Sequence, residues 1–338
     1  MTPPSSQAPP ADWRFPPPYD ARRLALALIA VLVLLFTGAR VEIDRMLALS
    51  ADGMLATVGL KDDSQVAKGF ATIGHQMFPL VIAERTETSR IENFDPEHLP
   101  PLARLETVES QVETLNPDTL QTDYSIERSQ YLVEPFGYLS HVALKLIETL
   151  EIALWGTVLA VILAVPLAIL GARNLTPHPV ARVAARTVVS FFRSIPELIS
   201  ALFLVLAYGF GPIAGVLALA FHAAGFLGKF YAEDIENTDP RAQEALGAIG
   251  AGRLKVLIYA ILPQVAPQYI AYTLYVLDRN VRMATVIGLV GAGGIGQELK
   301  GRYDMYNYGH VATILLAIFL LVVALDQLSI RLRQRMLN

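Results

Sequence analysis

The fold is decided by residues 198–228, LISALFLVLAYGFGPIAGVLALAFHAAGFLG, which contain no Asp, Glu, Lys or Arg. A membrane-spanning helix needs about 20 mostly apolar residues, because each residue advances about 1.5 Å through roughly 30 Å of hydrocarbon. The stretch is too long for one span, and Gly-Phe-Gly-Pro at 209–212 is typical of a turn. The sequence therefore predicts one helix over about 187–208 and a second over about 212–231.

The composition of the 338 residues also indicates a membrane protein. Hydrophobic residues make up 53% of the chain and charged residues 17%, whereas an ordinary soluble domain carries roughly 25% charged residues. The absence of cysteine excludes thiolate catalysis, Cys-ligated zinc and iron–sulfur clusters. The net charge of −4 is too small to indicate nucleic-acid binding. Further apolar runs cover 152–171, 256–277 and 311–325, the last extendable to about 330.

A shorter apolar run, 24–38, follows Arg22 and Arg23. Its length also fits the apolar core of a secretory signal peptide, about 7–15 residues. The proline-rich lead before it and the lack of a small-residue cleavage pattern after Gly38 favour an uncleaved anchor over 24–40. We therefore predict an all-α integral membrane protein with about six transmembrane helices.

The short loops decide the orientation, because Lys and Arg concentrate on the cytoplasmic side. If both termini are cytoplasmic, the basic residues beside four spans fall on that side, with 1–23 as a cytoplasmic tail. This predicts a multi-pass membrane protein. The basic residues are Arg22 and Arg23 before the first span, Arg173, Arg182 and Arg186 after the second, Lys229, Arg241, Arg253 and Lys255 after the fourth, and Arg331, Arg333 and Arg335 after the sixth.

Residues 41–141 are predicted to form an acidic extracytoplasmic insert, and 142–338 to hold the other five helices. From Arg40 to His141 inclusive, the chain has 17 Asp or Glu against 8 Lys or Arg. Apolar residues at 66, 70, 73 and 77 recur at helical spacing, which indicates an amphipathic helix on the membrane surface or against other protein. The polar stretch 90–134 is interpreted as an extended connector.

A second informative stretch is Glu-Ala-Leu-Gly-Ala-Ile-Gly at 244–250, followed by Leu-Pro at 262–263. It predicts a short helix, a break where glycine allows a tight reversal, a second short helix, and a proline in the first turn of the next span. Such a helix pair either docks in a groove on a cytoplasmic partner or serves as a plain connecting loop.

The same stretch resembles the "EAA" loop of permease subunits of binding-protein-dependent ABC importers, of the type I class. The pattern matches at Glu244, Ala245, Gly250, Leu262 and Pro263, while Leu246 and Ala260 are mild departures. The resemblance covers about 143–335. Within it, the stretches 193–198, 225–229, 280–282 and 288–296 resemble the phosphonate-importer branch of the family.

This resemblance implies a type I importer fold in the bacterial inner membrane and a transporter subunit that is not an enzyme. It implies a pore formed with a second permease copy, an ATPase dimer that binds ATP and Mg²⁺, and a periplasmic phosphonate-type binding protein. The substrate would be phosphonate or a related phosphorus oxyanion, with phosphite, hypophosphite and phosphate left open. Within a coupling loop over 233–263, the residues implied to contact the ATPase are Glu244, Ala245, Leu246, Gly247, Gly250, Arg253 and Pro263.

Ionisable residues in the fifth span are candidates for the pore. Asp278, Arg279 and Arg282 lie 15 to 19 residues after Pro263, and charged groups inside a span usually face a cavity or a partner. One hypothesis is that Arg279 or Arg282 eases an oxyanion through the pore. The alternative is a structural Asp278–Arg282 pair, and the same four-residue spacing favours a structural Arg193–Glu197 pair.

Gly291, Gly293 and Gly296 match a dinucleotide-binding pattern after the strand-like stretch 285–290. The acidic residue expected about 20 positions later is missing, and the chain has no Walker A sequence. We therefore interpret the glycines as a tight outer loop that packs at the pore, where exposed N–H groups near Gly291, Gly293 and Gly294 are also candidates to contact an anion.

His222 lies in the fourth span and either lines the pore or packs through a hydrogen bond, and the six histidines show no metal-ligand spacing. Two rival functions come from other classes. An ion-driven secondary carrier predicts two matching halves with broken helices, and these are not visible. A membrane-anchored oxidoreductase would need the missing acidic partner of the glycine-rich loop.

Overall fold

A computed structural model describes residues 21–59, 64–115, 122–176 and 178–337. The chain divides into two compact units, 1–75 and 76–338. The predicted cytoplasmic tail lies mostly outside the described residues.

In the first unit, the residues that the structure describes lie mostly in helices. Helix α1 is Ala21–Arg40 and is apolar enough over Arg22–Arg40 to span a membrane. Helix α2 is Ile43–Thr57, and α3 follows at Gln65–Met77. The helix predicted from the apolar spacing is therefore present in α3, with Phe70 73% exposed on its surface.

The stretch 90–134 was predicted to be an extended connector, but most of it belongs to a β-sheet. Strands β1 (Glu84–Glu87), β2 (Arg104–Leu115) and β3 (Thr122–Glu134) form an antiparallel sheet in the order β1-β3-β2. The register runs from Arg104 opposite Val133 to Leu115 opposite Thr122. Residues 104–115 and 122–134 are extended as predicted, but their backbone groups pair with each other, because buried polar backbone groups need hydrogen-bond partners.

The membrane-spanning part is a bundle built on helix α4, Gly137–Gly171, and helix α7, Pro212–Asn237. The two helices meet along small residues: a Cβ added at Gly156 would lie 2.9 Å from the Cβ of Leu219. Close contact between small residues is the usual way that membrane helices associate. The buried seam includes Ala160, Ala164, Ala168, Ala223, Ala224 and Leu227.

The predicted helix over 187–208 is broken. Helix α5 is Pro179–Ser194 and helix α6 is Glu197–Tyr208, and the two are bent by 91°. Pro196 disfavours helical backbone at the preceding residue, and Ile195 is extended at φ −92° and ψ 120°. The described residues thus contain five helices able to span a membrane, or six if α5 and α6 form one broken span.

The next helices confirm the pattern read from 244–263. Helix α8 is Pro240–Ala248, α9 is Arg253–Val256, and α10 is Leu262–Gly288. A wider, π-helical stretch at Leu257–Ile261 joins α9 to α10 just before Pro263, whose nitrogen has no hydrogen to donate. The strand-like interpretation of 285–290 was wrong, because α10 continues through it as far as Gly288.

Helix α11, Gly294–Asp304, and helix α12, Tyr308–Leu337, complete the bundle. We call the end of the bundle that contacts the sheet the sheet end. There, Thr313 Oγ1 donates to the Val81 carbonyl at 2.7 Å, and the Leu139 N–H donates to the Ile82 carbonyl at 3.2 Å. We call the opposite end, with Gly171, Asn237 and α8, the loop end.

Candidate coupling loop and polar sites

The candidate coupling loop (233–263) carries an exposed tip at residues 244–254. Ile249 and Leu254 at the tip are 79% and 68% exposed. Glu244 and Arg253 are exposed as well, and neither makes an ion pair within the described part of the chain. A surface that presents large apolar groups beside unpaired charges is suited to contact with another protein.

The root of the loop, by contrast, is tied to the bundle by polar contacts. Asn174 Nδ2 donates to the Ile235 carbonyl at 2.8 Å and to Gln243 Oε1 at 3.2 Å. The Asp239 N–H donates to Gln264 Oε1 at 3.1 Å, and the Asp239 carboxylate caps α8 by accepting from the Arg241 N–H at 2.9 Å. The tip therefore projects from an anchored base.

The turn between α8 and α9 depends on glycine. Gly250 has φ +79°, a left-handed conformation that other residues rarely adopt, and its N–H donates to the Gly247 carbonyl at 2.9 Å. A Cβ at Gly247, Gly250 or Gly252 would meet nothing within 4 Å. Space around the tip is thus open.

Inside the span α10, Arg282 makes the predicted pair with Asp278, at 2.7 Å. It also contacts Asp326 of α12 at 3.1 Å. The Asp278 side chain is only 8% exposed, while those of Arg282 and Asp326 are 43% and 48% exposed. Two carboxylates thus hold one guanidinium on a half-exposed face of α10 and α12.

The expected Arg193–Glu197 pair was wrong. Glu197 is buried and pairs with Arg279, and its Oε1 also lies 3.3 Å from His222 Nε2. His222 Nδ1 contacts the Ile195 carbonyl at 3.2 Å, so this histidine is held by polar contacts. Four-residue spacing brings side chains together only on a continuous helix, and Pro196 interrupts this one.

Sequence reasoning missed Glu197 as a partner of Arg279, although Pro196 was a signal against a helical pair. It also missed Asn280, which is buried and donates to Thr157 Oγ1 of α4 at 2.9 Å. A lone Asn in an apolar span signals such an interhelical bond, but its partner cannot be identified from spacing.

The residues 288–294, which we call the glycine loop, are packed, and the expectation of exposed N–H groups there was wrong. Residues 291–294 are buried. The Gly294 N–H donates to Glu148 Oε1 at 2.9 Å, and the Ile295 N–H donates to Thr149 Oγ1 at 2.8 Å. These donors at the start of α11 already bond to α4.

At the sheet end, Glu298 of α11 links several groups. Arg302 Nε donates to Glu298 Oε1 at 2.7 Å, and His141 Nε2 of α4 lies 3.3 Å from Glu298 Oε2. Burial by itself would raise the pKa of Glu298, but the hydrogen bond and charge of Arg302, with the contact to His141, lower it below its ordinary value. Glu298 is therefore held as a carboxylate.

The described residues hold no group of three or more His, Asp or Glu side chains placed to bind a metal ion.

Comparison with known proteins gives a consistent result. The family described as "Binding-protein-dependent transport system inner membrane component" matches residues 157–338. The putative phosphite transport system permease protein HtxE of Stutzerimonas stutzeri is 56% identical over 261 residues, which cover 77% of this chain and all of the relative. The phosphate-import permease of Mycolicibacterium smegmatis is 42% identical over 59% of this chain and 37% of its own length.

Among solved structures, an inward-facing MetNI methionine ABC transporter matches with a TM-score of 0.50 and 22% identity. The match covers 58% of this chain and 95% of that one. At this identity the likeness concerns the fold alone.

Proposed function

Because the chain belongs to the family of inner membrane components of binding-protein-dependent transport systems, we propose that it is the pore-forming permease of an importer for phosphonate or a related phosphorus oxyanion. The family consists of multi-pass transport subunits of the inner membrane and not of enzymes. Membership implies two further components, a cytoplasmic ATPase and a substrate-binding protein.

The observation that carries the proposal is the exposed tip of the coupling loop on its anchored root. An anchored root, with a tip that exposes apolar side chains and charges without ion-pair partners, is suited to a segment that an ATPase binds and moves. The proposed contact surface consists of Glu244, Ala245, Leu246, Gly247 and Gly250. The segment from Arg253 to Pro263 leads from this surface into α10. ATP would favour one conformation of the ATPase pair, and the loaded binding protein must favour the same conformation of the permease for transport to be coupled.

The remaining parts follow from this assignment. A second copy of the chain completes the pore, ATP and Mg²⁺ are bound by the ATPase dimer, and lipid surrounds the spans. Both termini and the loop end face the cytoplasm. The sheet end faces the periplasm, where a phosphonate-type binding protein delivers the substrate.

The substrate class is supported by the relatives, whose names concern phosphite and phosphate. Arg279 and Arg282, with Asp278 and His222, form the proposed outer part of the path. Paired arginines there lower the cost of an anion in the span while their carboxylates limit how tightly the anion is held.

The test of coupling is Glu244→Lys in a transporter assembled with its ATPase and binding protein. We expect uptake to be lost and ATPase co-purification to weaken, because the exchange reverses the charge at the contact surface. Glu92→Lys, an exposed glutamate between the sheet strands, is the matched control and should transport normally. Normal uptake in Glu244→Lys, or uptake that persists without the ATPase, would contradict the proposal and favour an ion-driven carrier.

A further inference from the structure

A cleft near the loop end lies between α4, α5 and α7 and has a volume of about 220 Å³. Three basic side chains line it, with one carboxylate. The lining residues on which the inference rests are Arg186, Ser190, Arg193, Lys229 and Glu233.

Two glycines of α7 allow α5 to approach and shape this cleft. A Cβ at Gly225 would lie 2.8 Å from Arg193 Cγ and 2.9 Å from its backbone nitrogen. A Cβ at Gly228 would lie 3.0 Å from Val189 Cγ2. Only a bare backbone at these two positions lets Arg193 lie against α7 within reach of the cleft that Lys229 also lines.

The charges in the cleft are not balanced. Arg186 is engaged, since it contacts Glu236 at 2.8 Å and donates to the Gly171 carbonyl at 3.0 Å. Lys229 has only a long contact of 3.6 Å with Glu233. Arg193 has no ion pair among the residues that the structure describes, and its expected partner Glu197 pairs with Arg279 instead.

Arg193 is exposed on the surface of the isolated chain, but it lies within the part of the bundle that is apolar enough to span a membrane. It lies against Gly225, which is about 18 Å along α7 from Asn237 at about 1.5 Å per residue. Cations at such depth in a span face a water-filled cavity or an anion. Arg279 and Arg282 differ in this respect, because each already holds a carboxylate.

We propose that this cleft binds a phosphate-type tetrahedral oxyanion, with Arg193 and Lys229 as its direct ligands. Guanidinium presents a planar fork of N–H donors that matches two oxygens of such an anion, and the Lys229 ammonium and the Ser190 hydroxyl add donors. The anion is either the transported phosphorus oxyanion on its way to the cytoplasm, which rests on the proposed function, or the phosphate of a lipid headgroup.

The direct test uses the permease–ATPase complex in dodecyl maltoside, a detergent that carries no phosphate group, with inorganic phosphite as the probe and ³¹P NMR line broadening as the readout. We expect Arg193→Ala and Lys229→Gln each to weaken phosphite binding by about tenfold or more, the usual size for loss of a charged hydrogen bond. Arg193→Lys should recover part of it. Arg182→Ala is the matched control, because Arg182 lies on α5 outside the cleft, and it should bind as wild type.

A second arm separates the two sources. If the anion is the substrate, the variants lose phosphite uptake in neutral proteoliposomes while binding-protein-stimulated ATP hydrolysis persists. If it is a headgroup, added phosphatidylglycerol competes with phosphite in the wild type, and uptake in neutral lipid is unchanged by the variants.

Equal phosphite binding by the wild type, Arg193→Ala and Lys229→Gln would overturn the assignment, provided that each complex elutes intact. Failure of the proposed function is a separate outcome, seen as absence of any phosphorus-oxyanion uptake by the wild-type transporter.

Discussion

The tip of the coupling loop and the glycine loop are both rich in glycine, yet their glycines have opposite surroundings. At Gly247, Gly250 and Gly252 an added Cβ would meet nothing within 4 Å. At Gly288 it would lie 2.6 Å from the Gly293 carbonyl oxygen and 2.8 Å from the Gly296 Cα. Glycine in the tip permits a turn in open space, whereas glycine in the glycine loop permits backbone to pack against backbone.

The difference shows which loop is available to a partner. The glycine loop is buried and its donors are bonded to Glu148 and Thr149 of α4. The tip leaves Ile249 and Leu254 exposed. Substitutions in the first loop should therefore affect folding, and substitutions in the second should affect assembly and transport.

The largest effect is expected for Gly288→Ala. Its Cβ would meet backbone atoms that cannot rotate away, and overpacking of this kind costs about 3 kcal/mol. We expect a lower folded yield and an earlier thermal transition of the detergent-solubilised protein. Gly247→Ala is the control and should be neutral or slightly stabilising, since Ala favours helix over Gly by about 1 kcal/mol. Similar melting of the two variants would contradict the comparison.

A smaller effect on stability is expected for Gly250→Val, because a β-branched residue at φ +79° is strained by about 1–2 kcal/mol. The reshaped turn should reduce uptake and ATPase co-purification while the protein stays in the membrane. Gly250→Asn tolerates this backbone conformation better and should retain more transport. Equal uptake by the Val and Asn variants would show that the turn geometry does not matter.

The smallest effect concerns Glu298, which follows the glycine loop on α11. Its lowered pKa means that the ionised carboxylate stabilises the fold above the ordinary carboxyl range, and that this contribution is lost as pH falls through the folded pKa. Glu298→Gln should therefore melt earlier than the wild type at pH 7, by about 1 kcal/mol in unfolding free energy. The gap should close toward pH 3; a gap independent of pH would contradict the role of the charge.

Part of the site was predictable because the signals are local. The turn at the tip was predictable from Gly250 and its spacing to Pro263, because glycine and proline determine the backbone conformation of nearby residues only. The Asp278–Arg282 pair was equally accessible, since both residues lie on one unbroken helix. The Arg193–Glu197 pair was not, because the bend at Pro196 directs the two residues to different neighbours.

The sequence by itself determined the apolar runs and the glycine turns at 209–211 and 250, because hydrocarbon thickness and glycine backbone preferences act residue by residue. The tertiary structure alone decided that Glu197 joins Arg279 across 82 positions of sequence, and that Arg193 instead lines the cleft with Lys229. The partner of a charge inside a bundle depends on how the helices cross and bend, which is set by packing over the whole bundle.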